Sequence, residues 1–201
     1  YQLVGPGAQP VDRARSVNQR AGEVRSVKKY IKVQKVQMMS EPLTLEQLKQ
    51  VMAEADLLKS EAEVDAALAK LATEISARLG DSMPVVYSIM NGGLVMAGRL
   101  LIKLNFPLEQ GYMHATRYRG ETTGHTDLQW QAPPSIPMQG RTVLILDDIF
   151  DEGNTLAEVV KACHAQGAKE VLTAVLVNKE HDRKNTDLKI DFIGMNVEDR
   201  Y

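Results

Sequence analysis

A short apolar run, from Thr142 to Leu146, passes directly into two adjacent acids, Asp147 and Asp148. A continuous apolar run of this length is typical of a central parallel strand that is buried on both faces. Ligands of open α/β folds bind at the carboxyl edge of the sheet, where we expect the acid pair to lie. Adjacent carboxylates without a nearby basic side chain need hydroxyl groups or a cation as partners. The pair therefore predicts a site for a sugar diol and Mg²⁺.

The acid pair is followed by a glycine-bearing turn, Asp151-Glu152-Gly153-Asn154-Thr155, which leads into a helical pattern. The unpaired amides and the positive dipole end of a helix N-terminus bind anions. Carboxylates for a sugar beside amides for a phosphate predict a pocket for a ribose 5-phosphate. An ordinary helix N-cap is the alternative interpretation of these acids. The loop sequences of the other common nucleotide-binding folds, Gly-x-x-x-x-Gly-Lys-Ser/Thr and Gly-x-Gly-x-x-Gly, do not occur.

From Pro84 onward, short apolar runs alternate with glycine-bearing turns and amphipathic helices, as in parallel βα units. We therefore predict an α/β domain with a doubly wound, mainly parallel sheet. The predicted strands are Val85–Met90, one near Tyr112, Thr142–Leu146, Val171–Val177 and Ile190–Ile193. The predicted inner face of the helix after the first strand consists of Leu94, Ala97, Leu101 and Leu104.

Two helices are predicted ahead of the sheet. Thr44 with Gln47, and Ser60 with Glu63, have the spacing of capping boxes, which satisfy free amides at a helix start. An apolar stripe in the second helix predicts a core face that stops at Gly80. Its members are Val64, Ala67, Leu68, Leu71, Ile75 and Leu79.

The predicted domain covers residues 38–201, with its core at about 84–180 and a small hood formed by the terminal segments. Residues 1–37 carry eight Lys and Arg against Asp12 and Glu23. This basic segment is interpreted as a dispensable extension, with a nucleic-acid arm or a presequence as alternatives. The polar stretch from Arg117 to Pro137 is interpreted as a lid. The single cysteine, Cys163, and the absence of a long apolar segment predict a soluble cytoplasmic protein with no membrane partner.

The segment Asp147 to Leu156 resembles the phosphoribosyl-pyrophosphate signature of type I phosphoribosyltransferases. Similarity extends from about Thr44 to Tyr201, and Asp151 favours the hypoxanthine-guanine branch. The resemblance implies the type I phosphoribosyltransferase fold and transfer of phosphoribose from phosphoribosyl pyrophosphate to hypoxanthine or guanine, with Mg²⁺ as cofactor. Use of xanthine or of 6-oxopurines in general, and a nucleic-acid-binding regulator that keeps the sugar site, are the alternatives. Homodimers and homotetramers are common in the family, and nucleic acid is not an expected partner.

The resemblance also implies roles for the residues of the signature. Asp147 and Asp148 would bind the ribose hydroxyls, and Asp151 would be the general base near purine N7. The 5′-phosphate would rest mainly on the backbone amides of the turn, Glu152, Gly153, Asn154 and Thr155. Many relatives have threonine where this chain has Glu152, so we expect the Glu152 side chain to point outward.

Three further segments resemble the family. Met90-Asn91-Gly92-Gly93 matches the pyrophosphate loop, which contains a non-proline cis peptide, here Met90–Asn91, and Tyr118 matches the tyrosine of the catalytic loop. Lys179 matches the lysine that donates to the purine 6-oxo oxygen. Contacts with the base, including a stacking contact from Phe192, are implied for Asp191, Phe192 and Ile193, and a role in holding a second Mg²⁺ is implied for Asp199. Relatives continue past the position of Tyr201 with a short strand, so we expect the hood to be incomplete.

Overall fold

The computed structural model describes residues 44–117, 128–184 and 187–199, and of Arg117 it describes the backbone. The chain divides into two compact units, residues 1–57 and 58–201. Within the first unit, helix α1 spans Leu45–Ala53, and its capping box is present, since Thr44 and Gln47 each bond to the backbone of the other. The predicted basic extension, Tyr118 and the centre of the predicted lid lie outside the described residues.

The second unit opens with helix α2, Glu61–Leu79, which also starts with the predicted capping box. Ser60 accepts a hydrogen bond from the Glu63 amide, and the Glu63 carboxylate accepts one from the Ser60 amide. Gly80 is the C-cap. Every member of the predicted apolar stripe is buried, so α2 packs with that face inward.

A six-stranded sheet forms the centre of this unit, with the strands in the order β3-β2-β1-β4-β5-β6. All neighbouring pairs are parallel except β2 with β3, which are antiparallel. The predicted mainly parallel sheet is confirmed. The strands are β1 Val85–Ile89, β2 Glu109–Arg117, β3 Leu128–Ala132, β4 Thr142–Phe150, β5 Glu170–Glu180 and β6 Phe192–Glu198.

Strand β3 lies inside the stretch that was predicted to be a lid. The alternation Leu-Gln-Trp-Gln-Ala from Leu128 to Ala132 has the period of two that a half-buried strand requires. Leu128 and Trp130 pack against the core, and the glutamines between them are exposed. This part of the predicted lid is therefore a strand of the sheet, and a lid in the rest of the stretch stays a prediction.

Helices cover both faces of the sheet. Helix α4, Asn154–Ala165, contributes Leu156, Val159 and Cys163 to the core on the face that contains Tyr87 and Ile145. Helices α2 and α3, Gly93–Leu101, pack on each other and on the other face, where Leu71 of α2 approaches Gly194 of β6. This arrangement is the predicted doubly wound one.

The predicted inner face of α3 needs a correction. The buried side chains are Met96, Ala97 and Leu100, followed by Leu104, whereas Leu94 is 55% exposed. The exposure of Leu94 follows from the position of Gly93, which lies so close to β4 that an added Cβ would stand 2.8 Å from the carbonyl oxygen of Leu146. This close approach fixes the rotation of the helix, and Leu94 consequently points away from the sheet.

Helix α4 ends just before Gly167. Gly167, with φ of 82°, donates to the His164 carbonyl at 2.9 Å, and Ala168 donates to the Cys163 carbonyl at 3.2 Å. These are the two hydrogen bonds of a Schellman motif, which needs a residue in the left-handed region. No helix in residues 44–117, 128–184 and 187–199 has the length and apolar character needed to cross a membrane.

Candidate active site

The carboxyl ends of β1, β4, β5 and β6 meet at one edge of the sheet because these four strands are parallel neighbours. β1 leads into the Met90–Gly92 loop, and β4 carries the acid pair near its end. Lys179 lies next to the last residue of β5 and pairs with Val197 of β6. The sheet therefore gathers most of the predicted site residues at this edge.

Asp147 and Asp148 form a half-buried pair in which the Asp148 amide donates to Asp147 Oδ1 at 3.0 Å. Burial, together with the negative charge of Asp148, raises the pKa of Asp147 well above its usual range. Burial also raises the pKa of Asp148. Hydroxyl donors or a cation at this point would stabilise the charged pair, as the sequence predicts.

The loop after β1 lies directly beside the acid pair. Its Met90–Asn91 peptide bond is cis, which confirms the prediction from the family resemblance. A Cβ added to Gly93 would stand 3.6 Å from Asp147 Cα, in addition to its close approach to the Leu146 carbonyl. Only glycine permits this contact, and the contact holds the loop beside the acid pair.

The turn after β4 places a helix N-terminus at the same edge. Gly153 is the N-cap of α4, with φ of 78°, and it accepts the first helical hydrogen bond from Ala157 at 2.9 Å. The amides of the first turn have no partner within a helix and point toward this end. Glu152 is exposed, as expected, and its carboxylate accepts a hydrogen bond from the Asn154 side chain at 2.9 Å.

Lys179 is the centre of a charged network. Its Nζ lies 3.3 Å from Asp151 Oδ2 and 3.0 Å from Asp199 Oδ1. The other oxygen of Asp199 contacts Arg183 Nη2 at 2.5 Å. The Lys179 side chain is 16% exposed, so this ammonium is held by two carboxylates at the border of the solvent.

The Asp151 carboxylate has a second partner, His181, that the sequence interpretation missed. His181 Nε2 lies 2.6 Å from Asp151 Oδ1, and the His181 side chain is only 7% exposed. The available signal was the spacing from Lys179, because residues two apart in an extended chain lie on the same side. That signal alone does not separate a site histidine from a surface one.

These contacts set the charge states of the network. Partial burial of Asp151 acts to raise its pKa, but hydrogen bonds from His181 and Lys179 outweigh that effect and lower it. Burial likewise acts to lower the pKa of Lys179, and the hydrogen bonds to Asp199 and Asp151 raise it overall. The hydrogen bond with Lys179 is the main cause of a lowered pKa at Asp199. Asp151 and Asp199 are therefore ionised and Lys179 is protonated at neutral pH.

The predicted base-contacting segment does not lie beside Lys179. Phe192 pairs with Ala174, five residues before Lys179 on β5, which corresponds to about 16 Å along the strand. Phe192 is buried, and the Asp191 carboxylate accepts hydrogen bonds from the Thr173 amide and hydroxyl at 2.9 and 3.1 Å. The carbonyl of Ile193 accepts one from Lys70 at 2.8 Å. These contacts fasten β6 to β5 and α2, and the expectation of base contacts from Asp191, Phe192 and Ile193 needs correction.

The structure places Asp199 between two cations, and its expected role in holding a second Mg²⁺ stays a prediction. Its two oxygens face Lys179 and Arg183, and a carboxylate held by two cations is a weak ligand for a third. Its position supports a role in orienting Lys179 instead.

Residues 55–198 match the family described as the phosphoribosyl transferase domain. The chain belongs to the phosphoribosyltransferase family. The match runs from the segment before α2 to the end of β6, and it includes the acid pair, the glycine turn and Lys179.

Two curated phosphoribosyltransferases show the branch that this chain resembles. A hypoxanthine-guanine phosphoribosyltransferase of Bacillus subtilis is 28% identical over 145 residues, which cover 72% of this chain and 80% of the relative. A hypoxanthine-guanine-xanthine phosphoribosyltransferase of Tritrichomonas foetus is 27% identical over 164 residues, covering 81% and 85%. Among solved structures, a hypoxanthine-guanine phosphoribosyltransferase of Bacillus anthracis has the same fold, with a TM-score of 0.65 and 23% identity over 73% of this chain and 84% of that one.

The acid pair is suited to a magnesium site that substrate phosphates would complete. In residues 44–117, 128–184 and 187–199, no three metal-ligating side chains converge on one point. Mg²⁺ commonly keeps several waters and binds one or two carboxylates together with substrate phosphates. Asp147 and Asp148, beside the loop that follows β1, offer that kind of partial site.

Proposed function

We propose that the protein is a purine-salvage enzyme that transfers the 5-phosphoribosyl group from phosphoribosyl pyrophosphate to hypoxanthine or guanine. The products are IMP or GMP and pyrophosphate. The observation that carries this proposal is the Lys179–Asp151 pair, at 3.3 Å, on the edge of the sheet that also holds the acid pair and the phosphate turn. A cation for a carbonyl oxygen and a base for a ring proton are the groups that a 6-oxopurine requires.

In the proposed complex, the 5′-phosphate lies on the first-turn amides of α4, where the helix dipole favours an anion. The ribose hydroxyls donate to Asp147 and Asp148, and these hydrogen bonds would offset the burial that raises the pKa of both carboxyls. The pyrophosphate lies on the loop at Asn91 and Gly92. Mg²⁺, held by the acid pair and the phosphates, would neutralise the leaving pyrophosphate.

Lys179 supports selection of the base. An ammonium has three donors, and the contacts with Asp151 and Asp199 use two of them. The third can donate to the 6-oxo oxygen of hypoxanthine, guanine or xanthine. The 6-amino group of adenine would face this donor with another donor, and we expect adenine to be rejected for that reason.

Asp151 serves as the general base in this proposal. Purine N9 forms a bond to C1′ while the bond from C1′ to the pyrophosphate oxygen breaks, and the electron pair leaves with pyrophosphate. The purine N7 proton passes to Asp151, which is ionised at neutral pH and whose pKa is lowered further by the hydrogen bonds from His181 and Lys179. Lys179 remains charged throughout and holds the 6-oxo oxygen.

The decisive assay measures pyrophosphate release from phosphoribosyl pyrophosphate with hypoxanthine, guanine, xanthine or adenine as the acceptor. We expect release with hypoxanthine or guanine and none with adenine. Asp151→Asn should lower turnover by about 10²- to 10⁴-fold, the usual effect of losing an acid–base group, and should leave phosphoribosyl pyrophosphate binding intact. Asp81→Asn, at an exposed position before β1, is the matched control. Full turnover in Asp151→Asn would contradict the assignment.

Xanthine is a second candidate acceptor because the Tritrichomonas foetus relative carries xanthine in its name. Competition between the three 6-oxopurines in the same assay decides between the narrow and the broad specificity.

We propose a homodimer or homotetramer as the assembled form. Three side chains on the outer surface of α3 and just after it, Leu94, Val95 and Ile102, are 55%, 43% and 81% exposed. Their spacing puts them on one stripe of the helix, and an apolar stripe of this kind is typical of a subunit contact. The proposed location is the cytoplasm, where a buried unpaired thiol such as Cys163 stays reduced.

A further inference from the structure

His181 has a defined tautomer. The backbone N–H of Arg183 donates to His181 Nδ1 at 3.1 Å, so this nitrogen is the acceptor of the neutral ring. The ring proton is therefore on Nε2, which lies 2.6 Å from Asp151 Oδ1 and donates to it. Both ring nitrogens are engaged, and the ring is buried at the border of the site.

The two oxygens of Asp151 have unequal partners. Oδ1 accepts the short bond from the rigid, buried His181 ring, and Oδ2 has the longer 3.3 Å contact with Lys179. The Asp151 side chain is 47% exposed, and the terminal torsion of an aspartate is soft. Lys179 alone, on a flexible stem, would leave the carboxylate free to rotate.

We propose that His181 is a positioning residue that orients the Asp151 carboxylate for proton transfer from the purine. This inference rests on the proposed function, because it assumes that Asp151 is the base. His181 fixes Oδ1 and thereby directs a lone pair of Oδ2 toward the ring nitrogen of a purine whose 6-oxo oxygen is held by Lys179. Misplacement of a reacting group by about 1 Å can cost about 10²-fold in rate.

The same contact affects the pH dependence of the reaction. The groups that face Asp151 are the neutral ring of His181 and the charged Lys179, and Lys179 is held in turn by Asp199, which is paired with Arg183. A donor to the ionised carboxylate favours the ionised form. Removal of His181 therefore raises the pKa of Asp151, and the base is lost by protonation at a higher pH than in the unmodified protein.

The test compares His181→Ala and His181→Gln in the full chain. Glutamine can present an amide N–H near the position of Nε2, whereas alanine removes the donor. We expect His181→Ala to lower kcat by about 10- to 100-fold, with an unchanged KM for phosphoribosyl pyrophosphate. The acid limb of its kcat/KM profile moves to higher pH, and His181→Gln restores most of both properties. His164→Gln, at an exposed position near the end of α4, is the control for loss of a histidine.

Two further measurements make the outcomes distinct. Thermal unfolding shows whether each variant is folded at the assay temperature, and the ¹³C resonance of the Asp151 carboxyl, assigned with Asp151→Asn, reports its titration without any turnover. The positioning role would be overturned if the unmodified protein, His181→Ala and His181→Gln had equal kcat values and equal pH profiles. It would also be overturned if both His181 variants lost the same activity while the acid limb of the profile stayed in place. Absence of purine-dependent pyrophosphate release in the unmodified protein would overturn the proposed function itself and the catalytic part of this inference with it.

Discussion

Substitution of Gly153 by alanine tests whether the turn before α4 is built around its glycine. Gly153 has φ of 78°, and an added Cβ would lie 2.9 Å from Phe150 Cζ and closer still to Cε2. Phe150 is buried, so its ring cannot move aside without disturbing the core. Gly140 is the matched control, because its φ is 69° but an added Cβ would meet nothing within 4 Å.

The two positions share one energetic cost and differ in another. A non-glycine residue in the left-handed region costs about 1–2 kcal/mol, so Gly140→Ala should lower the free energy of unfolding by roughly that amount. Overpacking against a buried side chain costs a further ~1–3 kcal/mol, which brings Gly153→Ala to roughly 2–5 kcal/mol in all. For a domain of this size, each kcal/mol lowers the melting temperature by about 2–4 °C.

Thermal unfolding of the two variants measures this difference, and calorimetric binding of GMP measures its effect on the site. We expect Gly153→Ala to melt below Gly140→Ala and to bind GMP more weakly, while Gly140→Ala binds it as the unmodified protein does. Equal melting temperatures for the two variants would refute the packing argument. A destabilised Gly153→Ala with normal GMP affinity would refute the placement of the phosphate on this turn.

Two further predictions concern the surface of the domain. Glu152→Thr removes an exposed negative charge beside the anion site, and we expect about a threefold to tenfold gain in GMP affinity, largest at low salt. An unchanged affinity at low salt would mean that the carboxylate does not act on the phosphate. Glu158→Thr, further along α4, is the control. Ile102→Glu introduces a charge on the exposed apolar stripe formed by Leu94, Val95 and Ile102, and it should reduce the mass measured by light scattering to that of one protomer. Lys103→Glu should leave the mass unchanged. An unchanged mass in Ile102→Glu would place the subunit contact elsewhere.

The features that the sequence predicts correctly are local ones. The two capping boxes and the apolar run from Thr142 to Leu146, which forms the first part of β4, each depend on residues that are close together in the chain. The cis bond at Met90–Asn91 followed from the resemblance of one tetrapeptide to the family. Such features need no knowledge of what packs against them.

The features that the sequence interpretation missed depend on distant partners. The rotation of α3 is set by the contact of Gly93 with the backbone of β4, and no periodicity within α3 contains that contact. Phe192 looks like a base-stacking residue by its immediate neighbours, but the register of β6 on β5 puts it in the core. His181 contacts Asp151 across a separation of 30 residues, and no pattern near either residue contains that contact.

The pairing of β1 with β4, in which Val85 lies opposite Val143, has a consequence for how activity is acquired during synthesis. The segment that would hold pyrophosphate leaves the ribosome well before the strand on which Gly93 rests, so a nascent chain that stops ahead of Thr142 contains this loop without its support. Parallel pairs of such separation form late because closing the intervening chain costs entropy before any contact compensates for it. We therefore expect shortened chains of this kind to have no affinity for pyrophosphate.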